Sequence, residues 1–290
     1  MHVSLVGSEM CIRDSLSSYA KINLSLRINS KRKDGLHEIQ SYFCLINLSD
    51  KINLKKIKAK KDKIFFKGPF SKLVNKNNNS IINLFKFLRK LKIISNYYSV
   101  SINKNIPVFG GLGGGTGNAA SILKVLLKGK ISKSLLNKAE SIIGTDLRLF
   151  FYKQGFLSNL KNITYFRKKK LFFILVKPNI RCSTKEIYSK VRKYSKKQLL
   201  SQNKINTKNK FINVVSQENN DLQSIVEKKY PIIKKLLIAI RDEKGCCFSR
   251  MTGSGSVCYG LFKDQITAKK ALNKLKIKFP SFWFSFAKTV

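Results

Sequence analysis

The chain has 290 residues, 43% of them hydrophobic and 11% aromatic, which excludes a wholly disordered protein and suits one large domain or two smaller ones. Its 58 lysines and arginines outnumber 15 acidic residues and give a net charge of +43. The longest apolar run is Leu171–Val176, far below the roughly 20 residues of a membrane-spanning helix, so we expect no membrane partner.

The first segment, Met1–Ser15, is set aside as a doubtful N-terminal extension. It lacks the basic start and the long apolar stretch of a signal peptide, and it joins awkwardly to the sequence that follows. We treat it as a possible artefact and begin the fold at residue 16.

The first half of the chain changes its hydrophobic period several times. Alternating residues predict strands, and apolar residues three or four apart predict helices. In chain order the elements are a strand at Ser18–Ile28, a turn at Asp34–Gly35, a strand at His37–Leu48, a polar hairpin at Asp50–Gly68, a helix at Asn79–Ile94, a strand at Tyr97–Pro107, a helix through Ile122, Leu123, Leu126 and Leu127, and a helix at Ser132–Gly144.

The second half mixes strands and helices in the same way. It runs through a loop and strand at Thr145–Tyr152, a basic stretch at Lys161–Lys170, a strand at Leu171–Pro178, a mobile surface insert at Lys196–Lys210, a helix at Asn220–Glu243, two strands around a glycine turn at Gly245–Phe262, a helix at Ile266–Phe279 and a last strand at Phe282–Val290. No steady βαβ rhythm occurs, so we predict the α+β class. The basic stretch is the candidate boundary between two domains, residues 16–162 and 163–290.

A glycine-rich loop begins at Val108, in the sequence VFGGLGGGTGNAASILKVLL, with five glycines between Gly110 and Gly115. Glycine lets backbone N–H groups approach a ligand closely, and a helix that follows directly adds the positive end of its dipole. We interpret the loop as a phosphate cradle, and the alternative is a flexible or tight connector. It is neither a Walker A loop, because no Gly-Lys-Ser/Thr ending follows, nor a Rossmann fingerprint, because no acidic residue stands about 20 residues later.

The stretch IPVFGGLGGGTGNAAS resembles the phosphate loop of the galactokinase, homoserine kinase and mevalonate kinase (GHMP) superfamily. AKINLSLRI resembles the first motif of that superfamily and RMTGSGSVCYGLF its third. Three motifs in the expected order imply the two-domain GHMP kinase fold, with an N-terminal ATP-binding domain and the active site in the cleft between the domains.

Within that superfamily, the closest resemblance is to the 4-diphosphocytidyl-2-C-methyl-D-erythritol kinases. The segments that carry it are YAKINLSLRINSKRKDGLHEIQSYFCLINLSDKI, GTDLRLFF, VKPNIRCSTKEIYS and NDLQSIV. The resemblance implies ATP-dependent phosphorylation of the 2-hydroxyl of 4-diphosphocytidyl-2-C-methyl-D-erythritol, a step of non-mevalonate isoprenoid precursor synthesis. It also implies a bacterial cytoplasmic enzyme.

Two catalytic residues follow from the resemblance. By this resemblance Asp146 would be the catalytic base and Lys21 its partner. A carboxylate can accept the hydroxyl proton as the new bond forms, and a lysine beside it favours the ionised form. Read without the resemblance, Asp146 is a turn residue and Lys21 one solvated lysine among many.

The same resemblance assigns binding residues. Those for ATP are Pro107, Gly110, Gly111, Leu112, Gly113, Gly114, Gly115 and Thr116 of the loop, with Asn79 and Lys104 near the adenine. Those for the substrate are Asn23, His37, Thr184, Tyr188, Gly253 and Gly255. Tyr188 would stack on the cytosine, and His37 would form a hydrogen bond with it. We expect Mg²⁺ to accompany ATP, held more by phosphates and water than by protein carboxylates.

The chain departs from the family pattern at four places. Leu36 replaces a tyrosine on one side of the cytosine, and Phe109 replaces a small residue at the start of the loop. Thr116-Gly117 stands for two serines. Leu147-Arg148 stands for Val-Pro after the base, where it would shift Asp146 or add a cation beside it.

The positive charge has two interpretations. A basic surface attracts polyphosphates, which favours a nucleic-acid partner. However, Lys, Asn, Ile and Phe are all abundant, as AT-rich codons would make them, and the lysines are spread rather than gathered in a block. We favour compositional drift and expect no nucleic-acid partner, although the charge would still attract an anionic substrate. A monomer and a homodimer are both open.

The cysteines and histidines do not form a metal or disulfide pattern. The cysteines are Cys11, Cys44, Cys182, Cys246, Cys247 and Cys258, without CxxC spacing, and the histidines are His2 and His37. We expect reduced thiols and no zinc site. The rival functions are another GHMP kinase, acting on homoserine or mevalonate, and an RNA-binding protein.

Overall fold

Alternating apolar and polar side chains build a seven-stranded sheet in the first half of the computed structural model, which describes residues 15–200 and 205–290. Its strands are β1 (Leu16–Asn23), β2 (Arg27–Lys31), β3 (His37–Ile57), β4 (Lys63–Lys67), β5 (Tyr97–Asn103), β6 (Gln154–Leu157) and β7 (Ile163–Tyr165). The order is β4-β5-β3-β6-β7, and both β1 and β2 pair antiparallel with β3. The long strand β3 therefore lies at the centre of this half.

Three helices accompany this sheet. They are α1 (Ser80–Lys90), α2 (Gly114–Leu126) and α3 (Lys133–Ile143), with short 3₁₀ helices at Ser71–Leu73 and Leu147–Phe151. The apolar side of α1 buries Leu84, Phe85 and Leu88 in one cluster with Val100 and Ile102 of β5. The amphipathic spacing of α1 thus places it on the sheet beside the glycine loop.

The second half has a four-stranded antiparallel sheet in the order β11-β8-β10-β9. Its strands are β8 (Phe172–Lys177), β9 (Cys246–Met251), β10 (Cys258–Phe262) and β11 (Trp283–Lys288). Its helices are α4 (Thr184–Ser189), α5 (Lys208–Ser216), α6 (Gln223–Lys229), α7 (Ile232–Arg241) and α8 (Gln265–Lys278). Two sheets with helices in both halves confirm the predicted α+β class.

The two halves share a buried cluster. It contains Tyr42 and Phe156 from the first sheet and Phe173 and Tyr259 from the second, all at most 2% exposed. The Tyr42 ring also lies 5.9 Å from that of Phe211 on α5. The first sheet ends at β7 and the second begins at β8, so the sheets divide close to the predicted boundary. The domain limits 16–162 and 163–290 stay a prediction.

The predicted hairpin at Asp50–Gly68 is wrong. The first part of that segment continues β3, and β4 pairs in parallel with β5, which lies between them. Every second residue of β5 is buried, whereas β4 is largely exposed. The strand with the stronger apolar alternation therefore takes the inner position, and the lysine-rich strand lies at the edge.

Other differences have local causes. The predicted helix at Asn220–Glu243 is two helices, because Pro231 begins the second one. The predicted strand after Asp146 is a 3₁₀ helix, and β6 begins only at Gln154. The predicted strand at Ser18–Ile28 is divided between β1 and β2.

Two residues of the Lys196–Lys210 insert, Gln198 and Ile205, contact the folded protein. The backbone of Gln198 exchanges hydrogen bonds with the side chain of Gln40, at 2.7 and 2.9 Å, and Ile205 is buried. The segment is rich in lysine and asparagine, and this composition gives no sign of the two contacts. The expectation of a wholly surface segment is therefore wrong at Gln198 and Ile205. Residues 201–204 lie outside the described part of the chain, as do Met1–Asp14, with His2, Cys11 and all but one residue of the doubtful extension.

No helix in the described residues has both the length and the apolar character needed to cross a bilayer.

Candidate active site

A cavity of about 1000 Å³ lies between the two halves of the chain. Its wall combines the glycine loop, the start of α1 and the beginning of β3 with the α4 segment and the second glycine turn. Every sequence-predicted site residue lines it: Lys21, Asn23, His37, Asn79, Lys104, Pro107, Gly110–Thr116, Asp146, Thr184, Tyr188, Gly253 and Gly255. The predicted positions therefore meet in one place.

Lys21 and Asp146 form an ion pair in this cavity. Lys21 Nζ lies 2.9 Å from Asp146 Oδ2, and the side chain of Lys21 is 4% exposed while that of Asp146 is 32% exposed. The buried strand β1 carries Lys21, and the 3₁₀ helix that follows Asp146 positions the carboxylate. Among the described residues that line the cavity, Asp146 is the only carboxylate.

The glycine loop adopts a conformation that side chains would resist. Gly111 and Gly113 have φ angles of +72° and +68°, in the left-handed region that favours glycine. Gly113 precedes α2, and no side chain of the described residues caps this helix terminus. The first N–H groups of a helix have no partner within it, so this end can bind an anion.

The loop is fixed to its neighbours on two sides. The Lys21 N–H donates to the carbonyl oxygen of Leu112 at 3.0 Å, which joins the loop to β1. The N–H groups of Ser256 and Val257 donate to the carbonyls of Phe109 and Gly110, at 3.2 and 3.3 Å. The second glycine turn thus holds the first loop in place.

An aromatic pair also lines the cavity. The His37 and Tyr188 rings lie 5.3 Å apart between centroids, tilted by 41°. Burial and the charge of Lys31 hold the pKa of His37 below its ordinary value. Burial, with the Asp146 charge, raises the pKa of the Tyr188 phenol. Both side chains are therefore neutral near pH 7 and can stack on or bind a neutral heterocycle.

A family model for the C-terminal part of GHMP kinases matches residues 208–281. The 4-diphosphocytidyl-2-C-methyl-D-erythritol kinase of Pelagibacter ubique is 36% identical over 281 residues, covering 95% of this chain and 98% of that protein. This chain belongs to the 4-diphosphocytidyl-2-C-methyl-D-erythritol kinase family. Membership of a kinase family implies ATP as the phosphoryl donor.

Solved structures support the fold of this kinase. A crystal structure of 4-(cytidine 5'-diphospho)-2C-methyl-D-erythritol kinase superposes with a TM-score of 0.74 at 21% identity, covering 96% of this chain and 100% of that one. A homoserine kinase from Cytophaga hutchinsonii gives 0.64 at 16% identity, covering 99% and 97%. These likenesses confirm the two-domain GHMP fold with its cleft.

Arg148 does not add a cation beside Asp146. Its guanidinium is buried and turned to Glu140, with Nε donating to Oε1 at 2.6 Å and Nη2 donating to Oε2. Nη2 also donates to Asn137 Oδ1 at 2.8 Å, and Nη1 to the Lys161 carbonyl. The predicted extra cation beside Asp146 is therefore wrong, because Glu140 neutralises the Arg148 guanidinium inside the fold. The predicted shift of Asp146 stays a prediction.

The other three departures differ in their surroundings. A Cβ on Gly117 would lie 2.8 Å from the Phe150 ring, which fills the space of the missing serine side chain. Phe109 has a φ of +57°, is 45% exposed, and lies under the guanidinium of Arg181 at 5.8 Å. Leu36 is 44% exposed on the cavity wall.

Asn79 and Lys104 line the cavity but have structural partners. Asn79 caps α1, and its Oδ1 accepts from the N–H groups of Ile81 and Ile82 at 3.1 and 3.2 Å. Lys104 pairs with the fully buried Asp50. Since these contacts explain both side chains, their predicted adenine contacts stay a prediction.

Two further side chains were missed by sequence reasoning. Asn118 on α2 is 2% exposed and lines the cavity, and its Oδ1 has no hydrogen-bond partner among the described residues. Thr184 Oγ1 lies 2.9 Å from Ser254 Oγ, so the serine joins α4 to the second glycine turn. Ser254 lies between Gly253 and Gly255, both predicted site residues, and this position could have indicated it from the sequence. No pattern in the sequence marked Asn118.

Proposed function

We propose that this chain transfers the γ-phosphoryl group of ATP to the 2-hydroxyl of 4-diphosphocytidyl-2-C-methyl-D-erythritol, in non-mevalonate isoprenoid precursor synthesis. The observation that carries the proposal is the Lys21–Asp146 pair, at 2.9 Å, in one cavity with the α2 terminus and the His37–Tyr188 rings. The loop and the helix terminus suit phosphates, the two rings suit a nucleobase, and the acid and amine line the same cavity.

The chemistry assigns a role to each group. The substrate hydroxyl oxygen bonds to the γ-phosphorus as the bond to the β,γ-bridging oxygen breaks, and ADP leaves. Asp146 accepts the hydroxyl proton, and Lys21 holds the carboxylate and balances its charge. The N–H groups of the loop and of the α2 terminus stabilise the charge on the phosphate oxygens.

Magnesium fits this site mainly as a companion of ATP. Within the described residues, no group of three or more His, Cys, Asp or Glu side chains could hold a metal ion. Asp146 and the Thr116 hydroxyl are among the protein oxygens that line the cavity, so they could take part in holding the ion, and phosphates and water would supply the remaining ligands. The ion would neutralise phosphate charge during transfer.

Substrate choice depends on the two rings that line the cavity. Tyr188 offers a flat face for cytosine, and the neutral His37 offers both a donor and an acceptor. Homoserine and mevalonate carry no base to occupy these rings. The aromatic pair therefore favours a cytidylyl substrate over those alcohols.

ADP release tests the proposal. The purified chain is supplied with ATP and Mg²⁺, and with the cytidylyl substrate, homoserine or mevalonate in turn. We expect turnover with the cytidylyl substrate and at most a background rate with the other two. Preferred turnover of homoserine or mevalonate would overturn the substrate assignment, and no ADP release with any of them would overturn the kinase assignment.

A further inference from the structure

Ser41 is linked to the proposed catalytic pair through one residue, Asn23. It belongs to β3, is fully buried, and does not line the cavity. In the antiparallel ladder Asn23 of β1 pairs with Phe43, so Ser41 is the diagonal neighbour of Asn23 on the same face. The Asn23 Nδ2 group donates to Ser41 Oγ at 2.9 Å.

The hydroxyl proton of Ser41 is committed elsewhere. Ser41 Oγ donates to the carbonyl oxygen of Ser25 at 2.5 Å, with the Tyr42 carbonyl at 3.1 Å as a second acceptor. A hydroxyl has one proton, so toward Asn23 it offers only lone pairs. It therefore accepts the Nδ2 group and cannot donate to Oδ1.

This commitment fixes which way the Asn23 amide points. With Nδ2 on Ser41, Oδ1 faces the ammonium of Lys21 and accepts from it. The flipped amide would place N–H donors against an ammonium, which has no acceptor, and would leave the Ser41 lone pairs unmatched. The same ammonium contacts Asp146 at 2.9 Å, so the chain of contacts runs from Ser41 through Asn23 and Lys21 to the carboxylate.

We propose that Ser41 is a positioning residue for phosphoryl transfer, which acts through the Asn23 amide to hold Lys21 against Asp146. This inference rests on the proposed function, because it assigns the pair a catalytic task. Ser41 touches neither substrate nor the reacting atoms, and its hydroxyl sets an orientation.

The test compares Ser41→Ala with a matched control, Ser25→Ala. Ser25 is also a buried serine, and its Oγ accepts the Tyr42 N–H at 3.0 Å without touching Asn23. Because small misplacements of catalytic groups can cost about 100-fold, we expect Ser41→Ala to lower kcat by about 10- to 100-fold with nearly unchanged KM values. Ser25→Ala should retain kcat, and Ser41→Thr, which keeps the hydroxyl, should recover most of it.

A double-mutant cycle with Asn23→Ala isolates the route. If Ser41 acts through the amide, Ser41→Ala should have no further effect on kcat once Asn23 is alanine. Equal losses in both backgrounds, or equal losses in the Ser41 and Ser25 variants, would overturn the inference and leave a structural role.

A spectroscopic readout separates this inference from the proposed function. Side-chain amide exchange of Asn23, followed by nitrogen-15 NMR, should be slow in the wild type and in Ser25→Ala and fast in Ser41→Ala. If Ser41→Ala speeds the exchange but the wild type has no kinase activity, the orientation of Asn23 is supported and the proposed function is rejected. If the wild type is active but Ser41→Ala does not change the exchange rate, the role of Ser41 is rejected.

Discussion

Gly111 faces the backbone carbonyl of Thr252 so closely that no side chain fits between them. A Cβ atom on Gly111 would lie 2.2 Å from that oxygen and 3.1 Å from the N–H nitrogen of Gly255. The Thr252 hydroxyl in turn accepts the Asn23 N–H at 3.0 Å. Through these contacts the first glycine loop, the second glycine turn and β1 are held as one unit around the proposed phosphate site.

Gly111→Ala should therefore lower the free energy of unfolding by more than the backbone strain of a left-handed alanine. Gly129 has a φ of +75°, close to the +72° of Gly111, but a Cβ there meets nothing within 4 Å, so Gly129→Ala is the matched control. Both variants pay about 1–2 kcal/mol for the left-handed conformation. Gly111→Ala adds overpacking of about 1–3 kcal/mol and displaces the loop.

We expect Gly111→Ala to lower the free energy of unfolding more than Gly129→Ala and also to raise KM for ATP. Denaturant unfolding and ADP-release kinetics measure the two effects. Equal unfolding free energies with unchanged KM in both variants would show that the loop does not hold the nucleotide.

Removing one partner of the buried Arg148–Glu140 pair should destabilise the fold far more than removing one partner of an exposed pair. The side chains of Arg148 and Glu140 are 6% and 10% exposed, so Arg148→Met leaves a buried carboxylate unpaired, at a cost of about 3–5 kcal/mol. Arg241 pairs with Asp242 at 3.6 Å with 64% exposure, and Arg241→Met should cost less than about 1 kcal/mol. Thermal and denaturant unfolding measure the loss of unfolding free energy in each variant. Similar losses in Arg148→Met and Arg241→Met would contradict the prediction that the buried carboxylate is left unpaired.

His37 should titrate below the ordinary histidine pKa of 6.5. Burial and Lys31 both disfavour the imidazolium, so the unfolded chain binds more protons and the free energy of unfolding falls as pH drops below that value. Lys31→Met removes one cause and should raise the pKa, whereas Lys31→Arg keeps the charge and should not. NMR titration measures the shift, with His37→Gln to identify the signal, and a pKa at or above 6.5 would contradict this environment.

Tyr188 should govern affinity for the cytidylyl substrate and not for ATP. Base–aromatic stacking is worth about 1–3 kcal/mol, so Tyr188→Leu should raise KM for that substrate by about tenfold. Tyr188→Phe keeps the ring and should change KM little. The same KM in the leucine and phenylalanine variants would show that the ring does not bind the base.

The sequence predicted the strands and helices better than it predicted which strands pair with each other. Strand β4 has an alternating pattern, but its pairing with β5 instead of β3 depends on which strands bury their alternate residues in the finished sheet. Likewise, the break between α6 and α7 was visible only as Pro231 inside an otherwise helical pattern. Local periodicity sets an element, and competition for burial sets its place.

The candidate site could be predicted from the sequence because three motifs resembled those of a known superfamily. Periodicity alone would not have joined Lys21 to Asp146, since nothing local links a lysine on β1 to an aspartate after α3. The sequence did not predict the contacts of Ser41 or Arg148. The contact of Ser41 with Asn23 depends on the register between β1 and β3, and the contact of Arg148 depends on Glu140, which α3 brings inside the fold.

The most direct test of the account measures ADP release with 4-diphosphocytidyl-2-C-methyl-D-erythritol, comparing the wild type with Asp146→Asn. The asparagine keeps the shape but cannot accept the hydroxyl proton, so the rate should fall by about 10²- to 10⁴-fold. Thermal unfolding of both proteins verifies that the variant is folded. An unchanged rate in the folded variant would contradict the assignment of Asp146 as the base.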